Sequence, residues 1–219
     1  MKKIALFLIL IVCGIFISAC NNPTREYKAI IKSDDVALLS IFTYDGKGES
    51  VFGLMNLGHS FLSIENVSDE PIYLSEKKIN PGETVAFGTW SILDHFGVWY
   101  NVESNYISDY NKYDGRLSVT QSVSSEDISV ITEYIKNHDY WTPLTNCSCF
   151  ALNLWNSVSD TAEKLDASLI YTPSQIAEQL KNFNTFETNR AIVTEKTFGY
   201  FKDGGYVNCY LEGGDYEDI

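Results

Sequence analysis

Positive charge and histidine are both scarce in this sequence. Only 16 residues are Lys or Arg against 29 Asp or Glu, which gives a formal net charge of −13. A surface this acidic repels phosphate backbones, so we expect no nucleic-acid partner. The three histidines, His59, His95 and His138, show no ligand-type spacing with one another or with the cysteines. We therefore expect no bound metal, and nothing else in the sequence calls for a cofactor.

Long apolar runs are absent after the first twenty residues, so no later segment is predicted to span a bilayer. At the start, Lys2 and Lys3 precede an apolar run over 4–17 that closes on Ser18-Ala19-Cys20. A basic start, a short apolar stretch and small residues before a cleavage site are typical of a signal peptide. The run is shorter than the ~20 residues that a spanning helix needs, so an uncleaved anchor helix is the less favoured alternative.

The cysteine after this cleavage site leads to a second prediction. A thiol in that position is typical of a lipobox, in which it takes a diacylglycerol thioether and fastens the chain to lipid. We therefore expect 1–19 to be removed, Cys20 to be lipidated and 20–30 to form a lipidated linker. The protein would then be a lipoprotein on the extracytoplasmic face of the cell membrane, with the membrane as its partner through the N-terminal lipid.

Cysteines are few in the remaining chain, and their number is odd. Cys147, Cys149 and Cys209 are left once the signal peptide and the lipidated residue are set aside. Outside the cytoplasm, three cysteines suggest either one disulfide with a free thiol or three free thiols. If a disulfide forms, we expect Cys149–Cys209, because the late helix is expected to lie near the last strands.

The mature chain is predicted to form one domain over 31–214, followed by an acidic tail over 215–219. Its first half is rich in short β-branched or aromatic runs separated by turn residues, which predicts a series of antiparallel strands. The predicted strands cover 29–32, 36–44, 60–64, 72–74 and 84–90. Glycine-rich aromatic strands are predicted near the end of the chain.

The second half has helical periodicity. Ser124 or Ser125 can cap a first helix, and a second helix fits 147–158, where apolar residues form one stripe. A third helix begins after Thr172, with Gln175 as its capping-box partner, and runs through Leu180. The predicted fold class is therefore α+β, with an antiparallel sheet packed against helices.

Cys147 opens the second predicted helix. A thiol at a helix N-terminus sits among unpaired backbone N–H groups at the positive end of the helix dipole, which lowers its pKa below the free value of ~8.5. Such a thiol is a candidate nucleophile facing the crevice between helix and sheet. The alternative, in which Cys147 is a small buried apolar residue or half of a disulfide, stays open at this point.

His59 follows Gly58 at the start of a predicted strand. A histidine accepts and returns protons near neutral pH, since its unperturbed pKa is ~6.5, and it is the base that a helix-borne thiol needs. A lone strand histidine is more often structural, and only a thiol facing it would reverse that interpretation.

Two motifs together resemble a known family. The Gly58-His59 strand followed by Asn146-Cys147-Ser148 and Phe150 is similar to the circularly permuted branch of the NlpC/P60 papain-like superfamily, in which the histidine precedes the cysteine. The resemblance extends over about 58–181, and is strongest to exported Gram-positive members. It implies a permuted papain-like fold with the nucleophile at a helix N-terminus, Cys147 as nucleophile and His59 as its base.

A third polar residue normally orients the histidine in this family, on a strand that follows the histidine strand. The strand over 72–74 offers nothing obvious, and the candidates are Thr89 and Asn101. The backbone N–H of Cys147 is a candidate oxyanion donor. Aromatic residues that are candidates for the groove, although the core is the commoner place for any one of them, are Trp99, Tyr100, Trp141 and Trp155.

The resemblance also implies the reaction, which is attack of a thiolate on an acyl carbon through a thioester. For a surface lipoprotein the first choice of function is an amidase or peptidase acting on peptidoglycan peptides. Two alternatives are left open: a lipid acyltransferase or thioesterase that uses the same two residues, and a catalytically inactive surface binding module. The oligomeric state is not determined by the sequence.

Overall fold

The structure is a computed structural model that describes residues 34–46, 58–92, 94–166, 171–202 and 205–209. The predicted signal peptide, Cys20, the linker, the strand over 29–32 and the acidic tail lie outside these residues. The strands are β1 (Asp35–Tyr44), β2 (His59–Asn66), β3 (Ile72–Leu74), β4 (Lys77–Ile79), β5 (Thr84–Ile92), β6 (His95–Tyr100), β7 (Leu117–Ser124), β8 (Glu187–Thr188), β9 (Phe198–Lys202) and β10 (Gly205–Cys209). The helices are α1 (Val102–Tyr110), α2 (Ser125–Asn137), α3 (Cys147–Val158) and α4 (Pro173–Leu180).

Eight of these strands form one antiparallel sheet. Its order is β10-β9-β6-β5-β2-β1-β7-β8, and β3 pairs with β4 in a separate hairpin. The central strand β1 pairs with β2 along its length, from Ala37 opposite Asn66 to Tyr44 opposite His59. The predicted α+β class, with a large antiparallel sheet packed against helices, is confirmed for the described part of the chain.

Helices cover both faces of this sheet. On one face, alternate residues such as Leu39 and Leu62 join a core cluster with the apolar residues of α2, α3 and α4. On the opposite face, Phe42 and Phe61 pack with Ile107 of α1. Because side chains alternate along a strand, a central strand covered on both sides must be apolar on both sides, which explains the nearly continuous apolar sequence of β1.

Local capping signals set where the three late helices begin. The Ser124 side chain accepts a hydrogen bond from the backbone N–H of Asp127, and Thr172 forms the same arrangement with Gln175. The second helix has the predicted bounds, Cys147–Val158. In the described residues, no helix has both the length and the apolar character that a membrane crossing requires.

Five elements were not predicted, namely strands β4, β6, β7 and β8 and helix α1. Helix α1 carries few local helix signals, since it is largely polar and its N-cap, Asn101, has a left-handed backbone (φ 62°) and no side-chain cap. The sheet holds α1 in place from one side. This helix turns out to matter for the site.

Of the two alternatives for the cysteines, the structure has three free thiols and not the Cys149–Cys209 disulfide. All three described cysteines are free thiols. Cys209 packs on the α1 face of the sheet, beside the cluster that contains Trp99. Cys149 lies on α3, whose apolar side packs against the other face, so the sheet separates the two residues.

Candidate active site

Cys147 is the first residue of α3 and is half-buried. Asn146 caps this helix: its side-chain oxygen accepts from the backbone N–H of Cys149 at 3.0 Å, and its amide nitrogen donates to the Tyr171 carbonyl at 3.1 Å. These two bonds hold the start of the helix, and so the thiol, in a defined position. Asparagine is among the residues best suited to this capping role.

The surroundings of the Cys147 sulfur favour its negative form. Burial alone would raise the pKa of the thiol, but the charge of His59 and a hydrogen bond with it lower that pKa. The backbone N–H of Ser60 and the side chain of Ser148 add hydrogen bonds that act in the same direction. The net effect is a thiol pKa below its ordinary value, as expected for a nucleophilic cysteine.

His59, the first residue of β2, is 7% exposed and lies between a thiol and a carboxylate. Burial alone would lower the pKa of His59. The charge of Cys147 and hydrogen bonds with Cys147 and Glu103 outweigh burial, so the net effect is a raised pKa. Its Nε2 lies 3.0 Å from Oε1 of Glu103, which leaves Nδ1 to exchange a proton with the sulfur. The raised pKa of the imidazole and the lowered pKa of the thiol together favour a thiolate–imidazolium pair.

Glu103 is the partner of His59 that sequence reasoning missed. It lies in the first turn of α1 and is fully buried. Its Oε1 accepts from Nε2 of His59 and from Nε1 of Trp90, at 3.0 and 2.7 Å, whereas Oε2 has no hydrogen-bond partner among the described residues. A buried carboxylate is costly unless it is paired, and a protonated His59 provides that pair.

Space for this carboxylate depends on a glycine. A Cβ atom built on Gly88 of β5 would lie 2.6 Å from Oε1 of Glu103 and 3.1 Å from Cβ of Phe61. No larger residue fits there without displacing one of them. The sequence contains only a weak signal for Glu103, which is an acidic residue shortly after the Gly97-Val98-Trp99-Tyr100-Asn101 segment.

Aromatic rings enclose the imidazole. The ring centroids of Trp90, Tyr113 and Phe61 lie 4.3, 5.7 and 5.8 Å from that of His59. Aromatic faces attract cations, so this enclosure also favours the imidazolium form. Of the four aromatic residues proposed for a groove, Trp99, Tyr100 and Trp155 are buried in the core instead, and only Trp141 is half-exposed.

The structure does not bring the two predicted third residues to His59. Asn101 accepts from the backbone N–H of Ala86 and donates to the Thr197 carbonyl, both at 3.1 Å, so both ends of its amide bond to backbone at the start of α1. The hydroxyl of Thr89 is buried without a hydrogen-bond partner in the described part of the chain. Neither orients the imidazole, and Glu103 occupies the position that was sought for them.

The arrangement as a whole can carry out acyl transfer. It combines a thiolate-forming cysteine, a histidine that can return a proton, and a carboxylate that orients and charges the histidine. The first backbone N–H groups of a helix have no partners within the helix, and those at the start of α3 can stabilise an oxyanion next to the sulfur. Within the described residues, no cluster of His, Cys, Asp and Glu has the geometry to hold a metal ion.

Other features of the molecule lie away from this site. His95, the first residue of β6, has its Nε2 atom 2.7 Å from Oδ1 of Asp139. A cavity of about 320 Å³, lined by Lys136, Asp139 and Phe201 among others, lies between α2 and β9 and includes neither Cys147 nor His59.

A scan of protein-family models finds no matching family, and neither the curated proteins nor the solved structures contain a match to this chain.

Proposed function

We propose that the protein is a thiol hydrolase that cleaves amide bonds, with Cys147 as nucleophile and His59 as the acid–base group. The observation that carries this proposal is the continuous contact from Cys147 through His59 to Glu103. A histidine that serves only the fold does not need a thiol on one side and a fully buried carboxylate on the other. Strongly perturbed ionisable groups that touch one another are typical of catalytic sites.

The reaction begins with the thiolate–imidazolium pair. The Cys147 sulfur attacks the carbonyl carbon of the amide, and the negative charge moves to the carbonyl oxygen, next to the first N–H groups of α3. The tetrahedral adduct collapses as His59 gives its proton to the departing amine nitrogen. The products of this half-reaction are a free amine and a thioester on Cys147.

Water completes the cycle. Neutral His59 takes a proton from a water molecule, whose oxygen attacks the thioester carbon. Collapse of the second adduct releases a carboxylic acid and expels the sulfur as thiolate, while His59 again holds a proton. The pair is restored, and no cofactor enters at any step.

Glu103 stabilises the charged state of His59 in both half-reactions. Its carboxylate fixes Nε2 as the protonated nitrogen, so that the ring presents Nδ1 to the sulfur. Trp90 donates to the same carboxylate oxygen and stops it from rotating away. Glu103 thus acts through His59, as a positioning residue.

The fold and location complete the proposal. A strand-borne histidine that precedes a helix-borne cysteine in sequence supports a permuted papain-like arrangement. The lipobox supports a lipid-anchored protein at the extracytoplasmic face of the cell membrane. Peptide stems of peptidoglycan are amide substrates within reach of such an anchor, and they are the substrate class we propose.

The test uses the purified full-length protein in detergent. It is incubated with peptidoglycan fragments, and newly formed amino termini are quantified for the wild type, Cys147→Ser, and Cys149→Ser as the matched thiol control. We expect new amino termini with the wild type and with Cys149→Ser, but not with Cys147→Ser. A long-chain acyl group retained on Cys147 would indicate a lipid acyltransferase instead, and an unreactive Cys147 would indicate a binding module.

A further inference from the structure

Three buried hydroxyl groups form a chain beneath the nucleophile. The Oγ atoms of Ser60 and Ser148 lie 3.1 Å apart, Ser60 Oγ lies 3.0 Å from Thr43 Oγ1, and Thr43 Oγ1 lies 3.0 Å from the Pro173 carbonyl oxygen. Thr43, Ser60 and Ser148 are each 0% exposed. Burying a hydroxyl group without a hydrogen bond is energetically unfavourable, so we expect a defined arrangement of protons in this chain.

The Pro173 carbonyl determines the direction of every bond in the chain. A carbonyl oxygen only accepts, so Thr43 must donate its single hydroxyl proton to it. The bond between Thr43 and Ser60 then requires Ser60 to donate. Ser60 in turn has no proton left for Ser148, so the Ser60–Ser148 bond requires Ser148 to be the donor.

Ser148 therefore has one proton and two acceptors. One acceptor is Ser60 Oγ, and the other is the sulfur of Cys147, with which the Ser148 side chain also forms a hydrogen bond. A negatively charged acceptor binds a donor more strongly than a neutral hydroxyl does. The position of this proton thus depends on the charge of the sulfur.

We propose that Ser148 is a switchable hydrogen-bond donor to the Cys147 thiolate, and that Thr43 and Ser60 are positioning residues that set how strongly its proton is held back. When the sulfur is a thiolate, Ser148 donates to it. When the sulfur is part of a thioester, it is a weak acceptor, and the same proton turns back to Ser60 Oγ. No covalent bond changes in this step, and the total number of protons is constant.

The inference rests on Cys147 being the nucleophile of the proposed function. It predicts, for each hydroxyl group, whether its loss raises or lowers the pKa of the Cys147 thiol. Loss of the Ser148 hydroxyl removes a donor to the thiolate. Loss of the Ser60 hydroxyl removes the competing acceptor, so that Ser148 donates to the sulfur alone. Loss of the Thr43 hydroxyl frees the Ser60 proton to point towards Ser148, which acts in the same direction as loss of Ser60.

The experiment measures the rate of Cys147 alkylation by iodoacetamide against pH, with the modified residue identified by mass spectrometry. It compares the full-length wild type with Ser148→Ala, Ser60→Ala and Thr43→Val. The matched control is Ser40→Ala, because Ser40 is buried and its hydroxyl pairs with that of half-buried Thr120, at 2.8 Å, without leading to the sulfur.

We expect the profile of Ser148→Ala to move by about one pH unit to higher pH, which is roughly tenfold slower alkylation at a fixed pH below the midpoint. The profiles of Ser60→Ala and Thr43→Val should move to lower pH, and that of Ser40→Ala should not move. If these hydroxyl groups only stabilised the fold, the variants would lose thermal stability, but their alkylation profiles would not move in opposite directions.

An unmoved Ser148→Ala profile, or shifts of Ser60→Ala and Thr43→Val to higher pH, would overturn the proposal. If Ser148→Ala does not fold, the direction of the Thr43→Val shift still decides. Alkylation needs no substrate, so the expected shifts without amide cleavage would count against the proposed function alone, and amide cleavage without the shifts would count against this inference alone.

Discussion

Nε2 of His59 and Oε1 of Glu103 lie 3.0 Å apart, and they reach each other from different elements on the α1 face of the sheet. His59 begins β2, whereas Glu103 lies in the first turn of a helix that carries no strong helix signal of its own. Cys147 approaches from α3, which packs on the opposite face. The imidazole thus joins groups supplied by both layers of helices.

Glu103→Gln tests the charge of this carboxylate. Glutamine keeps the shape and an acceptor oxygen but does not stabilise an imidazolium, so the pKa of His59 falls and that of Cys147 rises. We expect amide hydrolysis to fall by roughly 10²- to 10⁴-fold, the usual range for a disturbed acid–base group. Steady-state kinetics across pH provide the measurement. The control is Glu126→Gln, an exposed residue in the first turn of α2, and equal losses in both variants would count against a specific role for Glu103.

Gly88→Ala tests the space that the carboxylate needs. The added Cβ would lie 2.6 Å from Oε1 of Glu103, so the carboxylate must leave its present position beside His59. We expect the free energy of unfolding to fall by about 1–3 kcal/mol, as for other overpacked sites, and the alkylation profile of Cys147 to move to higher pH.

Gly205→Ala is the matched control for this change. A Cβ atom at Gly205 would meet only the Lys202 carbonyl, at 3.8 Å, which is ordinary contact. Chemical denaturation and alkylation should both leave this variant close to the wild type. An alkylation profile of Gly88→Ala that matches the wild type would show that the carboxylate can move without consequence.

The three described thiols should react in a definite order as pH rises. Cys147 has a lowered pKa through its contact with His59, whereas burial raises the pKa of Cys149 and that of Cys209. Since thiolate is the reactive form, Cys147 should be alkylated at the lowest pH of the three. Peptide mapping after brief exposure to iodoacetamide measures this order.

His59→Ala should remove the advantage of Cys147 in that order. Without the imidazolium, burial dominates, and the pKa of the thiol rises to or above the free value of ~8.5. Cys149→Ser should leave the profile of Cys147 unchanged. A Cys147 that still reacts at the lowest pH in the His59 variant would show that the helix N-terminus, and not the histidine, sets its pKa.

Cys20→Ala tests the lipid anchor. Removal of the thiol leaves no site for the diacylglycerol thioether, so the protein should appear in the soluble or unprocessed fraction instead of the processed membrane fraction. Cell fractionation and mass spectrometry of the N-terminal peptide provide the measurement. Absence of lipid on the wild type, together with unchanged fractionation of the variant, would contradict lipidation.

The sequence by itself determined the features that depend on near neighbours in the chain. The bounds of α3, the capping box at Thr172 and the central strands follow from capping residues, helical periodicity and alternation, all of which act over a few residues. The same local signals identified the thiol at a helix start and the histidine at a strand start as the residues to consider.

Only the tertiary structure decided which groups complete the site. His59 and Glu103 are 44 residues apart in the sequence, and Ser60 and Ser148 are 88 residues apart. No local sequence pattern acts over such separations. Helix α1 is held by the sheet and by the amide of Asn101, and its own sequence is a weak helix former. The sheet also keeps Cys149 and Cys209 apart, because Cys209 packs on one face and the helix that carries Cys149 packs on the other. Which face an element covers is decided only when the strands have paired.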